Sequence, residues 1–520
     1  MLKKIIEAYN AHKINIMQRS IFYRFSLEKR GNILNPDKFL TDPWSGNPVI
    51  GKDILNNIVG KSGISPDLME ILADSTDDEY AYSFAWIRHL QAVGGNGSMR
   101  LTRDFILTFI NTYRKTKSFW LRLNSWTMPL IGERLVNWMF SYSFFASGSN
   151  DSFQKTVLSS IMEQFSHLWK CYEAEPSLYA RLTALKAIMT CLCSMQNTQS
   201  TKIKKAIREI CEIAENWIDS SGMVANRNPN DHFNVFKGLI EIRFVSKNAG
   251  IDLPKRIFVD GLAKMAACIR FLRLGDGKLS NLVGDGYPLN SSLMPTRQMI
   301  DTALSVVESK NGGPITIPGF TRLSTKKIIL IINTKPCYSR SRFNNPSEPG
   351  LNIFDFEASF GLYRMINRAD ITVLFNGLRI KIGENAKYFS TIKHERGELH
   401  FDGEVQQRSR YFDFNVQRKI AIDLNSERIR GMDTTQASQP FQAFPRFVFD
   451  QHTVIKEMHS RSILIIHGNS EYILSISQRS QNCELFIGQD SDIPYPIVEI
   501  CYSATNTCDI KISWMIEPNP

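Results

Sequence analysis

Cysteine is scarce in this chain. There are nine in 520 residues, and no Cys-x-x-Cys pair occurs; the nearest two are Cys191 and Cys193. That spacing excludes zinc ribbons and thioredoxin-type redox motifs. It also argues against a dense disulfide scaffold, so buried thiols are the expected state. Long apolar runs are missing as well. No stretch approaches the roughly eighteen apolar residues that a membrane helix needs, so no transmembrane segment is expected. The N-terminus begins with basic residues, but Glu7, Asn10, His12 and Lys13 interrupt what would be the apolar centre of a secretion signal. A solvated first helical segment over 1–40 is expected instead.

The motifs of several chemistries are absent. The nine histidines form neither His-Glu-x-x-His nor His-x-His, which leaves no metal site to expect. There is no Gly-x-Ser-x-Gly elbow. Gly275-Asp276-Gly277 and Gly284-Asp285-Gly286 match neither a dinucleotide fingerprint, nor a phosphate loop, nor a calcium loop. They read as turn glycines, and no cofactor is expected.

What is present is an ordinary globular balance, 43% hydrophobic and 22% charged, in a chain long enough for several domains. Lys and Arg number 62 against 51 Asp and Glu, a net charge of +11. This favours an anionic partner: nucleic acid, a membrane surface or an acidic polysaccharide. The basic cluster Lys202, Lys204, Lys205 and Arg208 has no nucleic-acid motif beside it. It reads as a solvated helix face, and nucleic acid is not expected as a partner.

The hydrophobic period changes along the chain. Leu178, Leu182, Leu185, Met189 and Leu192 recur at steps of four and three behind Pro176-Ser177, which predicts a helix. Similar patterns predict helices over 104–115, 134–145, 156–173, 202–219, 232–248, 255–272 and 295–309. After about residue 315 the period becomes two. Residues 371–375 and 378–382 flank Asn376-Gly377, a hairpin signal; residues 462–466 and 472–477 flank Gly468-Asn469 in the same way. The expected organisation is an N-terminal segment 1–40, a helical domain 41–315 and an antiparallel β-sandwich 316–520. Between two helices lies Asn226-Arg227-Asn228-Pro229-Asn230-Asp231-His232. Asn230 or Asp231 could cap the second helix, and Arg227 could grip a carboxylate through two N–H groups.

Several segments together resemble the heparinase II/III family of polysaccharide lyases. They are Asp42–Pro48, Ser83–Leu90 with Ala92–Gly95, Gly132–Trp138, Val224–Asn230, Phe271–Gly277, Gly319–Leu323, Phe356–Ser359 and Ser390–Ile392. Their order and spacing hold from about residue 40 to 450. The resemblance implies a helical (α/α) toroid followed by an antiparallel β-sandwich. It also implies β-elimination on an acidic, uronic-acid polysaccharide by a carbon–oxygen lyase. On it, Arg227 and Asn230 would hold the uronate carboxylate, and a tyrosine, with Tyr287 ahead of Tyr363 and Tyr388, would be the base. The implied location is the cell envelope or periplasm, with the cytoplasm as the alternative.

The chain departs from the family pattern where that pattern has histidines. It reads Glu348-Pro349-Gly350-Leu351-Asn352 in place of a His-x-His-Ala-Gly-like run, Phe389 in place of a His, and Arg446-Phe447-Val448-Phe449-Asp450 in place of Arg-Phe-His-x-His. A catalytically degenerate member that binds an envelope glycan or a protein partner is therefore the alternative expectation.

Overall fold

The computed structural model describes residues 34–59, 78–115, 126–282, 295–307, 317–335 and 353–520, together with Tyr23 and Leu27. Short gaps fall at 198, 381, 383–384, 409–411, 460, 478–482, 490–494 and 503–507. The chain divides into two compact units. The first comprises residues 1–225, 233–266 and 290–310. The second comprises 226–232, 267–289 and 311–520. Two short stretches that precede the change of period are thus grouped with the strands.

Among the described residues the helical region holds twelve α-helices: α1 (Pro48–Val59), α2 (Asp78–Ser83), α3 (Ile87–Val93), α4 (Gly95–Lys115), α5 (Met128–Phe140), α6 (Tyr142–Ala146), α7 (Asp151–Cys171), α8 (Leu178–Cys193), α9 (Ser200–Trp217), α10 (Pro229–Asn248), α11 (Leu262–Leu272) and α12 (Arg297–Ser305). Helix α8 starts where Ser177 Oγ accepts the Ala180 N–H, satisfying an orphan donor of the first turn. It packs on α5, α7 and α9, and nearly every side chain from Ala180 to Leu192 is buried. Helix α9 is two-faced: Ile203, Ala206, Ile210, Ile213, Ala214 and Trp217 are its buried residues. Its basic cluster lies on the opposite side, with Lys205 paired to Glu173 and both Lys202 and Lys205 near the Trp169 ring. Gly132 lets α5 approach α8, since a Cβ there would lie 2.7 Å from Thr183 O. Most predicted helices have different limits; the one expected over 104–115 starts at Gly95, and the one expected over 295–309 spans Arg297–Ser305. The segment expected over 134–145 starts earlier and breaks at Ser141 into α5 and α6. The one expected over 255–272 opens with a π-turn, Arg256–Gly261, before α11.

The second unit carries two antiparallel eight-stranded sheets among the described residues. One runs in the order β1 (Phe320–Ser324), β2 (Ile328–Asn333), β3 (Phe356–Phe360), β4 (Tyr363–Phe375), β10 (Gln442–Phe449), β15 (Pro496–Tyr502), β14 (Cys483–Gln489), with β5 (Leu378–Arg379) paired to β4. The other runs β11 (Thr453–His459), β12 (Ser462–His467), β13 (Ser470–Ile476), β16 (Asp509–Pro518), β9 (Ile429–Ala437), β8 (Phe414–Asp423), β7 (Glu398–Gln407), β6 (Lys387–Glu395). The predicted Asn-Gly hairpin joins β4 to β5, with φ of 51° at Asn376 and 76° at Gly377. Inward side chains of both sheets form one apolar core. Trp514 stacks on Phe356 there with ring centroids 5.9 Å apart, and Gly431 leaves room for it, because a Cβ at 431 would lie 2.0 Å from the indole. Arg418, fully buried, reaches from β8 to the Phe354 carbonyl just before β3 and to the Ala369 and Asp370 carbonyls of β4 while Asp433 pairs with it. Helices followed by a two-sheet sandwich are the architecture the periodicity predicted.

Candidate functional site

The loop 226–232 is built around Arg227. Its backbone has a φ of 56°, unusual for a residue with a Cβ. Nη1 donates to Gly319 O at 3.2 Å and Nη2 to Lys335 O at 3.1 Å, and the guanidinium lies 5.8 Å from the Phe320 ring centre. Gly319, at φ +86°, is glycine for a packing reason as well: a Cβ there would sit 1.8 Å from Nη1. At least two donors of the guanidinium therefore hold main-chain carbonyls. The helix cap differs from expectation. Asn228, not Asn230 or Asp231, caps α10, accepting the N–H groups of Asn230 at 2.9 Å and Asp231 at 3.2 Å. Pro229 suits the first helical position, which places the cap one residue before it. Asn230 is half-buried. Asp231 accepts from Asn226 Nδ2 at 2.6 Å, and burial pushes its carboxyl above the usual range. Sequence reasoning treated Asp231 only as a cap. Tyr287 lies outside the described residues.

Three of the segments behind the family resemblance meet in the second unit. Arg322 donates to the Phe271 and Arg273 carbonyls at 2.8 and 2.6 Å, closing the end of α11. Ser359 Oγ accepts from Gly275 N, and Glu357 accepts from Asn281 N, both at 2.9 Å. Arg364 lies between Asp276 at 3.2 Å and Glu357 at 3.6 Å. Burial raises the Glu357 carboxyl above its usual range although Arg364 opposes the shift. Close by in the chain, Asp355 pairs with Arg368, which also lies 3.3 Å from Asp370. Burial and the Asp370 charge push Asp355 up to about 6.

Three other segments meet in the first unit. Lys186 of α8 holds Glu133 of α5 at 2.6 Å and Glu241 of α10 at 2.9 Å. Lys237 holds Glu241 at 2.8 Å, and Trp44 Nε1 donates to Glu241 at 2.5 Å. Arg88 lies 3.5 Å from Asp42 and donates to Asn137 Oδ1 at 2.8 Å. The two lysines hold Glu241 down at about 2 against the pull of burial. Asp42 goes the other way, raised by burial. No two neighbouring residues in the sequence announce this network.

The remaining candidates are scattered. Tyr363 is 55% exposed, its ring 5.6 Å from His467, whose Nδ1 is 2.9 Å from Thr453 Oγ1. Tyr388 packs half-buried against the sandwich core. Phe447, Val448 and Phe449, in the run compared with Arg-Phe-His-x-His, are fully buried. His452 is exposed. Residues 348–352 lie outside the described part. Among the described residues no group of three or more His, Cys, Asp or Glu is placed to hold a metal ion, and no helix is long and apolar enough to cross a membrane.

The fold is shared with solved polysaccharide lyases. Heparinase III superposes over 95% of this chain and 88% of its own, with a TM-score of 0.60 at 12% identity. A second heparinase III gene product covers 94% and 87%, with a TM-score of 0.54 at 12% identity. A mutant of the heparan sulfate lyase HepC from Pedobacter heparinus covers 99% and 88%, with a TM-score of 0.52 at 10% identity. No protein-family model matches the chain, and no curated protein matches it in sequence. The fold class is therefore that of the heparinase III-type lyases, a helical toroid region followed by a β-sandwich.

Proposed function

We propose that this chain is a lyase of the heparinase II/III type, which cleaves a uronic-acid-containing polysaccharide of the cell envelope by β-elimination. The observation that carries the reading is the fold, shared with heparinase III over 95% of the chain. The net charge of +11 supports a polyanionic substrate, because a positive field concentrates it near the protein. In this reaction a base removes the C5 proton, α to the uronate carboxylate. The electron pair forms the C4–C5 double bond, and the C4–oxygen bond breaks to release the leaving sugar. The carboxylate needs a cation or amide beside it as charge builds, and the base must lie within hydrogen-bond reach.

In this proposal Tyr287 is the base and Asn230 contacts the uronate. Arg227 holds the 226–232 loop in place through Gly319 and Lys335, and its charge favours the carboxylate at that loop. The test is incubation of the purified chain with heparan sulfate, chondroitin, alginate and polygalacturonate, following the ultraviolet absorbance of the new double bond. Tyr287→Phe is expected to lower the rate about a hundredfold or more. Unchanged rates in Tyr287→Phe and Asn230→Ala together would remove both residues from the mechanism.

A second reading has its own observation. Val448 is a core residue, Asp450 is half-buried and Phe389 is an exposed ring, at places where the resembled family has histidines. A toroid kept for binding an envelope glycan or a protein after its chemistry was lost predicts retention of a polysaccharide with no rise in absorbance on any substrate.

A further inference from the structure

We propose that the outer face of the second sheet, from β6 across to β9, binds a neutral hexose chain. This inference stands apart from the lyase reading and uses neither Arg227, Asn230 nor Tyr287, although Phe389 stands where the resembled family has a histidine. Burial alternates along β6 from Lys387 to Thr391; Tyr388 packs toward the core, so Phe389, Thr391 and, by the same two-residue period, Lys393 share the opposite face. The Phe389 ring is 54% exposed. The register carries this face across four strands. Thr391 pairs with Asp402, Asp402 with Lys419, and Lys419 with Met432. In the adjacent row Lys393 pairs with His400, His400 with Ala421, and Ala421 with Arg430. These two rows line a shallow groove of about 410 Å³. Three inter-strand steps span about 14 Å, the length of roughly three pyranose rings.

The chemistry of the groove suits a sugar. Each hydroxyl of a hexose both donates and accepts, so it is best met by donors and acceptors set side by side. Asp402 is held by Gln417 Nε2 at 2.9 Å and lies 3.3 Å from Lys419 Nζ. Glu398 pairs with Arg430, and His400 Nε2 lies 3.4 Å from it. Carboxylates oriented in this way present fixed acceptors beside fixed donors. Ala421 and Met432 interrupt the polar rows with apolar patches. Phe389, two residues before Thr391 on the same face of β6 and paired with Glu404, offers a flat ring to the C–H face of a pyranose. It has no place in the core.

Charge selects the class of ligand. Lys393, Lys419 and Arg430 are balanced by Glu395, Glu398 and Asp402 on or beside the same groove. The net positive charge of the protein is therefore not concentrated here, and a polyanion gains nothing from this face. A neutral chain loses nothing on it.

The test is calorimetric titration of the full chain with hexaoses of glucose, mannose and galactose, and with a hexuronate hexaose. Phe389→Ala and Asp402→Ala serve as surface variants whose melting curves should match the parent. A neutral hexaose is expected to bind, and Phe389→Ala to weaken it by about tenfold, the size of one aromatic contact. Absence of binding by all three neutral hexaoses would overturn the inference. So would binding that survives both substitutions, or binding of the hexuronate alone at this face. Turnover in the lyase assay is expected to be the same in Asp402→Ala, so failure here and failure of the lyase reading are read on separate instruments.

Discussion

Glycine at 319 and arginine at 227 depend on each other, and the dependence is steric before it is electrostatic. In Gly319→Ala the new methyl meets both a positive φ and the guanidinium 1.8 Å away. The substitution should destabilise the sheet unit by about 2 kcal/mol or more. Gly361, at φ +57°, isolates the backbone part, because a methyl added there would meet nothing within 4 Å. Gly361→Ala should cost only about 1 kcal/mol. Urea denaturation of both variants checks the difference, and equal losses would show that the arginine yields. The buried charges of the helical unit give a sharper case. Lys186→Met leaves Glu133 and Glu241 short of a cation in the interior, and should cost about 3–5 kcal/mol. Adding Glu133→Gln should recover part of that loss, because one uncompensated charge is then gone. A double variant no more stable than the single one would contradict the coupling seen in the geometry.

At the scale of elements, particular buried groups in the two units should respond to acid in opposite directions. In the helical unit, burial lowers His89 to about 4 and His167 to about 3, and the lysines hold Glu241 at about 2. All three groups take up protons more readily in the unfolded chain. Their contribution is fully present above the unfolded histidine range and is lost as pH falls through it toward 3. Asp355 in the sandwich is raised to about 6, so the folded state holds its proton more tightly. Its contribution is present below the ordinary carboxylate range and is lost as pH rises through 6. Seven of the eight tryptophans precede residue 220, so indole fluorescence reports mainly the helical unit. Its melting temperature should drop between pH 6.5 and 4, and His167→Phe should flatten that drop. An unchanged profile in this variant would remove His167 as a cause.

The elements themselves were largely legible. Leucines spaced by three and four gave α8, and Asn376-Gly377 gave a hairpin because both residues tolerate positive φ. Element ends were less so. Asn228 won the cap because Pro229 fits the first helical position, a preference that acts on the residue before the proline. The break at Ser141 and the π-turn before α11 carry no comparable local signal.

At the scale of the molecule, the polyanion reading predicts a dependence on salt. Retention of an acidic polysaccharide should weaken steadily as ionic strength rises, since screening shortens the reach of the protein's net charge. The neutral-hexose face of β6–β9 should be nearly indifferent to salt. Affinity measured at low and high salt for both ligands separates the two, and equal slopes would merge them into one site.

The sequence by itself determined the order of helix and strand, the place where the period changes, and the turns, because these depend on neighbours a few residues apart. It also carried the fold class through eight short segments, each weak alone. Only the tertiary structure decided which charges share an interior. Asp42, Arg88, Glu133, Lys186 and Glu241 stand as much as 199 positions apart in the chain, yet form one network. It likewise decided that Arg227 directs donors to Gly319 and Lys335, and that Phe389 faces outward. Burial and pairing of charge are set by what long-range packing brings alongside, and no local pattern encodes that.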